Sequence, residues 1–424
     1  MIVDSTDSTH RTVSELFSRS DDAATIEAEM DRQVNEIIRN FLDATCASTD
    51  ASYALIAESF MESVIPTEPR DIHSYLDYLT SKLVVHSTHT SAPRFIGHMT
   101  SMLPLFVRPL AKLLASLNQN VVKAETAKAA TPFERQALAM MHRLVFCLPE
   151  YFYWEHVQST QSTLGAIGSG GTLANLHALW CARNRALGPK PGFDGVEMGG
   201  MSAALEAGGY RDAVIIGSSL MHYSFDKAAG LLGIGTKNLV KVPVDTSGHV
   251  NCLLMRRAIE DARAKRHSVI ALIGVAGATD TGAIDPLLDI ADLAAEFQIH
   301  FHVDAAWGGP VLFSRRSRHK LDGIRRADTV TIDGHKQLYL PVGIGMTLFR
   351  DPATAKATEK QARYIIRPNS ADLGRRTLEG SRQNAALYLH AGLSLIGARG
   401  YEYLIDEGIN KAAYMAGKVS SNPS

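Results

Sequence analysis

The chain has 424 residues, of which 46% are hydrophobic and 21% are charged, and its formal net charge is −1. This much apolar sequence can build a large core and two or three structural units. A near-neutral chain lacks the basic excess that binding to nucleic acid or to an anionic membrane requires, so a small polar metabolite is the expected partner.

The cysteines and the N-terminus indicate a cytoplasmic protein. The four cysteines lie far apart and form no C-x-x-C pair, which suits a reducing compartment better than a disulfide framework. The first residues, MIVDSTDSTHRTVSELF, are polar, and no later apolar run is long enough to span a bilayer. We therefore expect no membrane association.

The first predicted element is an amphipathic helix preceded by Asp21 and Asp22, which can cap its first turn. Its apolar positions recur at helical spacing: Ile26, Met30, Val34, Ile37 and Phe41. This apolar face must pack on another surface, either on the same subunit or on a second copy of the chain. Both alternatives stay open at this point.

A polar loop, residues 86–100, ends in P-R-F-I-G-H. His86 and His89 have H-x-x-H spacing but neither a helical context nor a nearby acidic ligand, so we expect no metal site there. Arg94 and His98 are candidate donors to a substrate carboxylate. The alternative is that Arg94 is a structural residue that ties loops together.

Two helix starts follow. Thr131-Pro132-Phe133-Glu134 reads as a capping box and predicts a helix that runs to about Phe146. The run GAIGSGGTLANLHALWCARN then places glycines directly before an apolar helical pattern. Free N–H groups at a helix start bind phosphate, so Gly170, Gly171 and Thr172 are candidate phosphate ligands, although such a loop alone is weak evidence.

The middle of the chain alternates between strands and helices. Residues 189–210 have little periodicity and are expected to be irregular, and a buried strand (213–217) then leads into a loop that carries His222. A strand (239–244), a helix (251–263) and a further strand (268–274) follow. This order predicts a mainly parallel sheet with right-handed crossovers.

Two later strands deliver the most reactive side chains. The strand 299–303 ends at Asp304, and the strand 328–332 is followed by His335 and Lys336. A partly deprotonated lysine amine can form a Schiff base with an aldehyde, and an Asp that faces a pyridine nitrogen keeps that nitrogen protonated. The alternative is that Asp304 caps a turn and that His335 and Lys336 lie in a solvated loop.

The C-terminal part begins with a strand (346–349) and a long polar segment that contains Tyr364 and is expected to be a mobile lid. A helix from about Asn384 to Ile396 follows it.

The run H-V-D-A-A-W-G-G and the H-K lysine box, with the other motifs in order between about residues 70 and 400, resemble the group II pyridoxal-phosphate decarboxylases. This family includes glutamate, aspartate, cysteine-sulfinate and aromatic amino acid decarboxylases, and the sequence is most similar to its acidic amino acid branch. The resemblance implies an α/β fold of the PLP-dependent transferase-like class (fold type I), with a mainly parallel mixed sheet flanked by helices.

The resemblance also implies site roles and a cofactor, pyridoxal 5′-phosphate. Lys336 would hold the cofactor, Asp304 would bind the ring nitrogen, and His222 and Ala306 would pack on the two ring faces. The phosphate would contact Gly170, Gly171, Thr172 and His335. Thr279 would lie near the ring and the substrate carboxylate, and Tyr364 would protonate the carbanionic carbon.

The chain departs from the family pattern at three positions. His98 stands where the glutamate-type enzymes have a Gln that contacts the distal carboxylate, which puts glutamate as the substrate in doubt. Ala278 replaces the first Thr of a G-T-T motif. Asp333 stands where many relatives carry Asn, and an acid near a phosphate is unfavourable unless it turns away, so its role stays open.

The expected organisation is an N-terminal helical, dimer-packing segment (1–90), a large cofactor-binding domain (91–383) and the start of a truncated C-terminal domain (384–424). The expected function is decarboxylation of an acidic L-amino acid, foremost L-aspartate to β-alanine, by a cytoplasmic homodimer. Glutamate or cysteine sulfinate as substrate, an aminotransferase of the same fold type, and an inactive cofactor-binding relic are the alternatives.

Overall fold

A computed structural model describes residues 13–14, 16–100, 102–362 and 369–422 of the chain. The chain divides into two compact units, residues 1–102 and residues 103–424, and each unit is described by itself.

The first unit consists of short helices and one long one. Its helices are α1 (Asp21–Asp43), α2 (Tyr53–Glu58) and α3 (Ile72–Tyr78), and a π-helical turn (Leu79–Val84) follows α3. Ser20 caps α1, because its hydroxyl accepts a hydrogen bond from the Ala23 N–H at 3.2 Å. The prediction that Asp21 and Asp22 cap this helix is therefore wrong. Both lie in the first turn, where a negative charge favours the positive end of the helix dipole.

The second unit is built on a seven-stranded sheet with the order β1-β7-β6-β5-β4-β2-β3. Strands β2 to β6 run parallel to one another, and β7 is antiparallel to both β6 and β1. The prediction of a mainly parallel sheet is confirmed. The strands are β1 (Gly165–Gly168), β2 (Asp212–Ser218), β3 (Leu239–Val242), β4 (His267–Val275), β5 (His300–Asp304), β6 (Thr329–Asp333) and β7 (Gly345–Phe349).

Helices cover both faces of the sheet, and neighbouring strand residues alternate between the two cores. Val214 and Ile216 of β2 pack on one side, and Ala213 and Ile215 pack on the other. The helices of this unit are α4 (Val107–Leu117), α5 (Ala124–Ala127), α6 (Ala130–Phe146), α7 (Glu150–His156), α8 (Gly171–Ala186), α9 (Val196–Gly208), α10 (Ser224–Leu231), α11 (Cys252–Ala264), α12 (Leu287–Phe297), α13 (Ala386–Leu395) and α14 (Gly397–Ser420).

The predicted helix that ends at Phe146 is present as α6, but the predicted capping box at its start is wrong. No side chain caps its N-terminus, and the Thr131 hydroxyl is buried without a hydrogen-bond partner among the described residues. Glu134 instead forms a two-pronged ion pair with Arg382. A buried guanidinium requires a carboxylate, and this tertiary contact replaces the local capping bond.

Two segments that the sequence predicts to be irregular are ordered. Residues 196–208 form α9, whose backbone kinks at Gly200, where φ is 77°. The flanks of the predicted lid are packed, because Glu359 bonds both Arg375 and Arg376, whose side chains are buried. The prediction of a long mobile segment is therefore wrong for these flanks.

Within the described ranges, no helix combines the length and apolar character needed to cross a membrane. The same ranges contain no group of three His, Cys, Asp or Glu side chains that could hold a metal ion.

Candidate active site

The carboxyl ends of the central strands bring the predicted residues to one edge of the sheet. Asp304 ends β5 and Asp333 ends β6, and the two strands pair in parallel with Asp304 opposite Thr331. Lys336 follows shortly after β6, and His222 follows β2. In an open α/β sheet this edge is where ligands bind.

The Asp304 carboxylate is 7% exposed and is held by hydrogen bonds from two elements. Asn175, on α8, donates from Nδ2 to Asp304 Oδ2 at 3.0 Å, and the Ala306 N–H donates to Oδ1 at 3.2 Å. The same Asn175 nitrogen donates to the Ser224 hydroxyl at 3.1 Å. Two N–H groups of a single amide therefore fix the acid relative to the loop that carries His222.

A series of buried hydrogen bonds starts at the side-chain oxygen of Asn175. His302 Nε2 donates to Asn175 Oδ1 at 3.0 Å, and the Thr329 hydroxyl donates to His302 Nδ1 at 2.9 Å. His300 Nε2 donates to Thr329 Oγ1 at 2.9 Å. Burial lowers the pKa of His302 to about 3 and that of His300 to about 4, so both rings are neutral. This series of hydrogen bonds between neutral groups therefore orients Asn175 without adding a charge beside Asp304.

His222 is a half-buried ring whose Nδ1 accepts a hydrogen bond from the Ser224 N–H at 3.2 Å. This bond places the proton of the neutral ring on Nε2. Burial lowers the pKa of His222, and the charges of Asp304, Lys336 and Asp333 all act on it. His222 therefore belongs to the same electrostatic site as the two strand ends.

Lys336 lies in an ion pair rather than in a solvated loop. Its Nζ is 3.1 Å from Asp333 Oδ2, and the two side chains are 17% and 3% exposed. His335 donates from Nδ1 to the Ile344 carbonyl at 3.0 Å, and its Nε2 is 3.7 Å from the same Asp333 oxygen. Burial raises the pKa of Asp333, although Lys336 and His335 act in the opposite direction. The alternative of a solvated His-Lys loop is wrong.

The glycines before α8 line a narrow site that has no room for side chains. Gly170 has a φ of 145°, and Gly171 begins the helix, whose first N–H groups have no intrahelical acceptors. A Cβ on Gly345 would lie 2.4 Å from the Gly170 carbonyl carbon, and a Cβ on Gly171 would lie 2.8 Å from Asp333 Oδ2. This close approach of backbone to a helix N-terminus suits a phosphate.

The residues present therefore fit pyridoxal phosphate. The start of α8 offers donors for its phosphate, Lys336 offers an amine for its aldehyde, and Asp304 offers a carboxylate for its ring nitrogen. All three lie at one edge of one sheet. The specific contact of each residue stays a prediction.

The remaining predicted residues fall in several places. Ala306 is buried, and its carbonyl accepts a hydrogen bond from the Asp333 N–H at 3.2 Å. Thr279 is exposed in the turn after β4, and Thr172 is partly buried in the first turn of α8. Tyr364 lies outside the described residues. Arg94 and His98 belong to the first unit, where both are exposed, and His98 Nδ1 lies 2.9 Å from Thr100 Oγ1.

Sequence reasoning assigned no role to Asn175, Ser224 or His302. The available signal was a polar residue, Asn175, between the apolar positions Leu173 and Leu176 of α8. A buried amide in such a place needs partners. Which partners it has depends on strands more than a hundred residues later in the chain.

Two of the relatives found by comparison with known proteins are aspartate decarboxylases. The chain is 46% identical over 391 residues to aspartate 1-decarboxylase of Aliivibrio fischeri, a match that covers 92% of this chain and 71% of the relative. It is 31% identical over 270 residues to an L-aspartate decarboxylase of Metarhizium robertsii, covering 62% of this chain and 51% of that protein.

A solved structure and a family model extend this likeness. The crystal structure of mouse CSAD in apo form is 25% identical, with a TM-score of 0.80, and the match covers 94% of this chain and 80% of that one. The family described as "Pyridoxal-dependent decarboxylase conserved domain" matches residues 57–424, which include the whole sheet and every described side chain at its edge. The chain belongs to the pyridoxal-dependent decarboxylase family.

Proposed function

We propose that this protein removes the α-carboxyl group of L-aspartate as CO₂ and forms β-alanine. The observation that carries the proposal is the meeting of Lys336, Asp304 and the glycine start of α8 at one sheet edge. The aspartate decarboxylase relatives support the choice of substrate. These matches cover 71% and 51% of the relatives' lengths, so the activity of a full-length enzyme is part of the proposal.

Bound pyridoxal phosphate supplies a conjugated ring that accepts the electron pair left on the α-carbon when CO₂ departs. Asp304 keeps a proton at the ring nitrogen, because a buried carboxylate in that position stabilises the positive charge. Asn175 and Ala306 hold this carboxylate in one orientation. Lys336 supplies the amine that holds the aldehyde carbon, and the first N–H groups of α8 bind the phosphate.

The substrate's second carboxylate requires a cationic or donating partner. We propose Arg94 and His98 for this role, since both are exposed in the first unit and a guanidinium pairs a carboxylate in two-pronged geometry. His98, at the position of a Gln in the glutamate-type enzymes, favours the shorter substrate. Thr279 is the proposed neighbour of the α-carboxyl group, and Tyr364 is the proposed proton donor to the α-carbon.

The replacement Lys336→Ala tests the proposal. We expect it to lower CO₂ release from L-aspartate by ~10³-fold or more, because the lysine acts directly on the reacting group. The borohydride-reducible absorbance band of the bound cofactor should also disappear. Lys320→Ala, an exposed lysine of the same unit, is the matched control. A Lys336→Ala variant that keeps both turnover and the band would refute the assignment.

We also propose a cytoplasmic homodimer. The four cysteines are free thiols, and Cys46 and Cys147 are exposed, which fits a reducing compartment. No residue of α1 is buried, and its Ile26 and Val34 are 40% and 37% exposed, so its apolar face is available to a second copy of the chain. Sedimentation equilibrium of the purified protein distinguishes a monomer from a dimer.

A further inference from the structure

A cavity of about 460 Å³ lies at the edge of the sheet opposite to the candidate active site. Its wall includes His300 and Phe301, which begin β5, and Asp328, which precedes β6. Along β5, His300 is four residues, about 13 Å, from Asp304 at the other end of the strand. The cavity is therefore separate from the residues that would hold the cofactor.

Small side chains on two helices leave the space for this cavity. The last turns of α8 contribute Ala182 and Ala186 to the wall, and α12 contributes Ala291, Ala294 and Ala295. Larger residues at these positions would occupy the same volume. Sites for small molecules typically measure ~300–1,000 Å³, so the cavity is large enough to hold a metabolite.

The charged side chains that line the cavity, among the described residues, are three arginines and Asp328. Arg326 is already used, because its Nη1 donates to Asp292 Oδ1 at 2.6 Å and its Nη2 donates to the Ala291 carbonyl at 3.3 Å. Arg185 Nη1 lies 3.9 Å from Asp328 Oδ1, which is too far for a hydrogen bond. The N–H groups of Arg185 are therefore still available to a ligand.

Arg350 is the third of these arginines, and its guanidinium is unpaired. It directly follows β7, and its backbone N–H donates to the Asp328 carbonyl at 3.0 Å. Its exposed side chain forms no hydrogen bond or ion pair with any residue that the structure describes. A guanidinium presents five N–H donors in a planar fork that matches a carboxylate or a phosphate group. Arg350 can therefore bind such a group in the cavity.

Asp328 and His300 leave the preference for an anion intact. Asp328 Oδ2 accepts a hydrogen bond from the Phe301 N–H at 2.8 Å, and Arg185 lies beside its other oxygen, so its charge is largely offset. Burial lowers the pKa of His300 to about 4, so this ring is neutral. Its Nδ1 is buried without a hydrogen-bond partner in the described part of the chain, 4.0 Å from Asp328 Oδ2. A buried polar atom of this kind is typical of a place where water or an ion binds.

We propose that this cavity is a second binding site, which takes a small anion through a carboxylate or phosphate group. Arg350 is the principal ligand of the anion, and Arg185 is the second. Charge-assisted hydrogen bonds from guanidinium groups supply the affinity, and the alanines of α8 and α12 limit the size of the anion. Because the site lies at the amino ends of the parallel strands, the anion binds without contacting Lys336 or Asp304.

The test is calorimetric titration of the protein saturated with pyridoxal phosphate, so that the start of α8 is filled. Inorganic phosphate and succinate are the two probes, and their relative affinities distinguish a phosphate ligand from a dicarboxylate. We expect Arg350→Ala to weaken binding of the preferred probe by ~10- to 100-fold, because hydrogen bonds from a charged donor are lost. Arg325→Ala changes a neighbouring exposed arginine outside the cavity wall and should match the wild type. A wild type that binds neither probe at millimolar concentration, or that binds no better than Arg350→Ala, would overturn the proposal.

Two further variants test the volume and the charge of the cavity separately. Ala295→Phe keeps every charge but fills the cavity from an exposed position on α12, so it should weaken binding as Arg350→Ala does. Asp328→Asn keeps an acceptor for the Phe301 N–H but removes a negative charge, so it should strengthen binding. Unchanged binding by Ala295→Phe would place the probe elsewhere, for example at the substrate site, and would overturn the proposal. Weaker binding by Asp328→Asn would do the same. None of these measurements depends on decarboxylation.

Discussion

Asn175 shows how one buried amide can position a charged group. Its two N–H groups reach Asp304 and Ser224, and its oxygen accepts from His302, so three of its four hydrogen-bonding positions are used. Any rotation of the amide would break a bond at each end. The orientation of the Asp304 carboxylate is therefore set from α8 as well as from its own strand.

We predict that Asn175→Ala weakens cofactor binding by ~10- to 100-fold, because loss of a hydrogen bond to a charged group is worth about 1.5–3 kcal/mol. The measurement is a titration of the cofactor-free variant with pyridoxal phosphate, followed by absorbance. Asn184→Ala is the matched control, since Asn184 is also buried on α8 but bonds Glu197 and the Ala357 carbonyl instead. Equal losses in both variants would mean that Asn175 has only a structural role.

The sequence predicts Lys336 and Asp304 because each stands at the end of an apolar strand, and the carboxyl ends of parallel strands meet at the edge where ligands bind. Asn175 could not be assigned in this way. Its role comes from contacts with residues 302 and 304, and a local pattern does not contain the register between a helix and a strand. The sequence marks Asp333 as unusual, but its partner is evident only from the 3.1 Å contact with Lys336.

At the scale of elements, the buried ion pair between Glu134 of α6 and Arg382 connects the helix to the segment before α13. The two side chains are 1% and 10% exposed, and one of the two contacts measures 2.7 Å. Removing one partner of such a pair leaves a buried charge without compensation. The pair therefore has a larger effect on stability than ion pairs on the surface.

We predict that Glu134→Gln lowers the free energy of unfolding by about 3–5 kcal/mol. Urea titration followed by circular dichroism measures this change. The control is Glu150→Gln. This change removes an exposed ion pair with Arg143, which lies on α6 as Glu134 does, and it should change the free energy of unfolding little. If both variants lose the same stability, the Glu134–Arg382 pair is no more important than a surface pair.

The alternation of apolar strands with amphipathic helices is sufficient to predict β2 to β6 and the helix α11 between β3 and β4. It fails for α9, because residues 196–208 have no marked apolar face and contain two adjacent glycines, Gly199 and Gly200. Packing against the core beside α8 stabilises this helix, as the burial of Val196 and Ala204 shows. Tertiary contacts of this kind override weak local propensity.

At the scale of the whole molecule, four of the histidines that the structure describes have a strongly lowered pKa and stay neutral in the folded protein. Burial lowers the pKa of His142, His177 and His300 to about 4 and that of His302 to about 3. The unfolded chain exposes these rings, and an exposed imidazole has a pKa near 6.5. Between about pH 6.5 and 4 these four rings therefore bind more protons in the unfolded state than in the folded state.

The protein should accordingly lose stability as the pH falls below about 6.5, and His177→Leu should reduce this loss. His177 is 3% exposed, and its Nε2 has no partner among the described residues, so its removal breaks no hydrogen bond at that atom. Each buried neutral histidine contributes a slope of up to about 1.4 kcal/mol per pH unit. Urea unfolding at several pH values gives this slope for the wild type and for His177→Leu. His319→Leu, which changes an exposed histidine, should leave the slope unchanged, and a wild-type slope in His177→Leu would contradict the assignment.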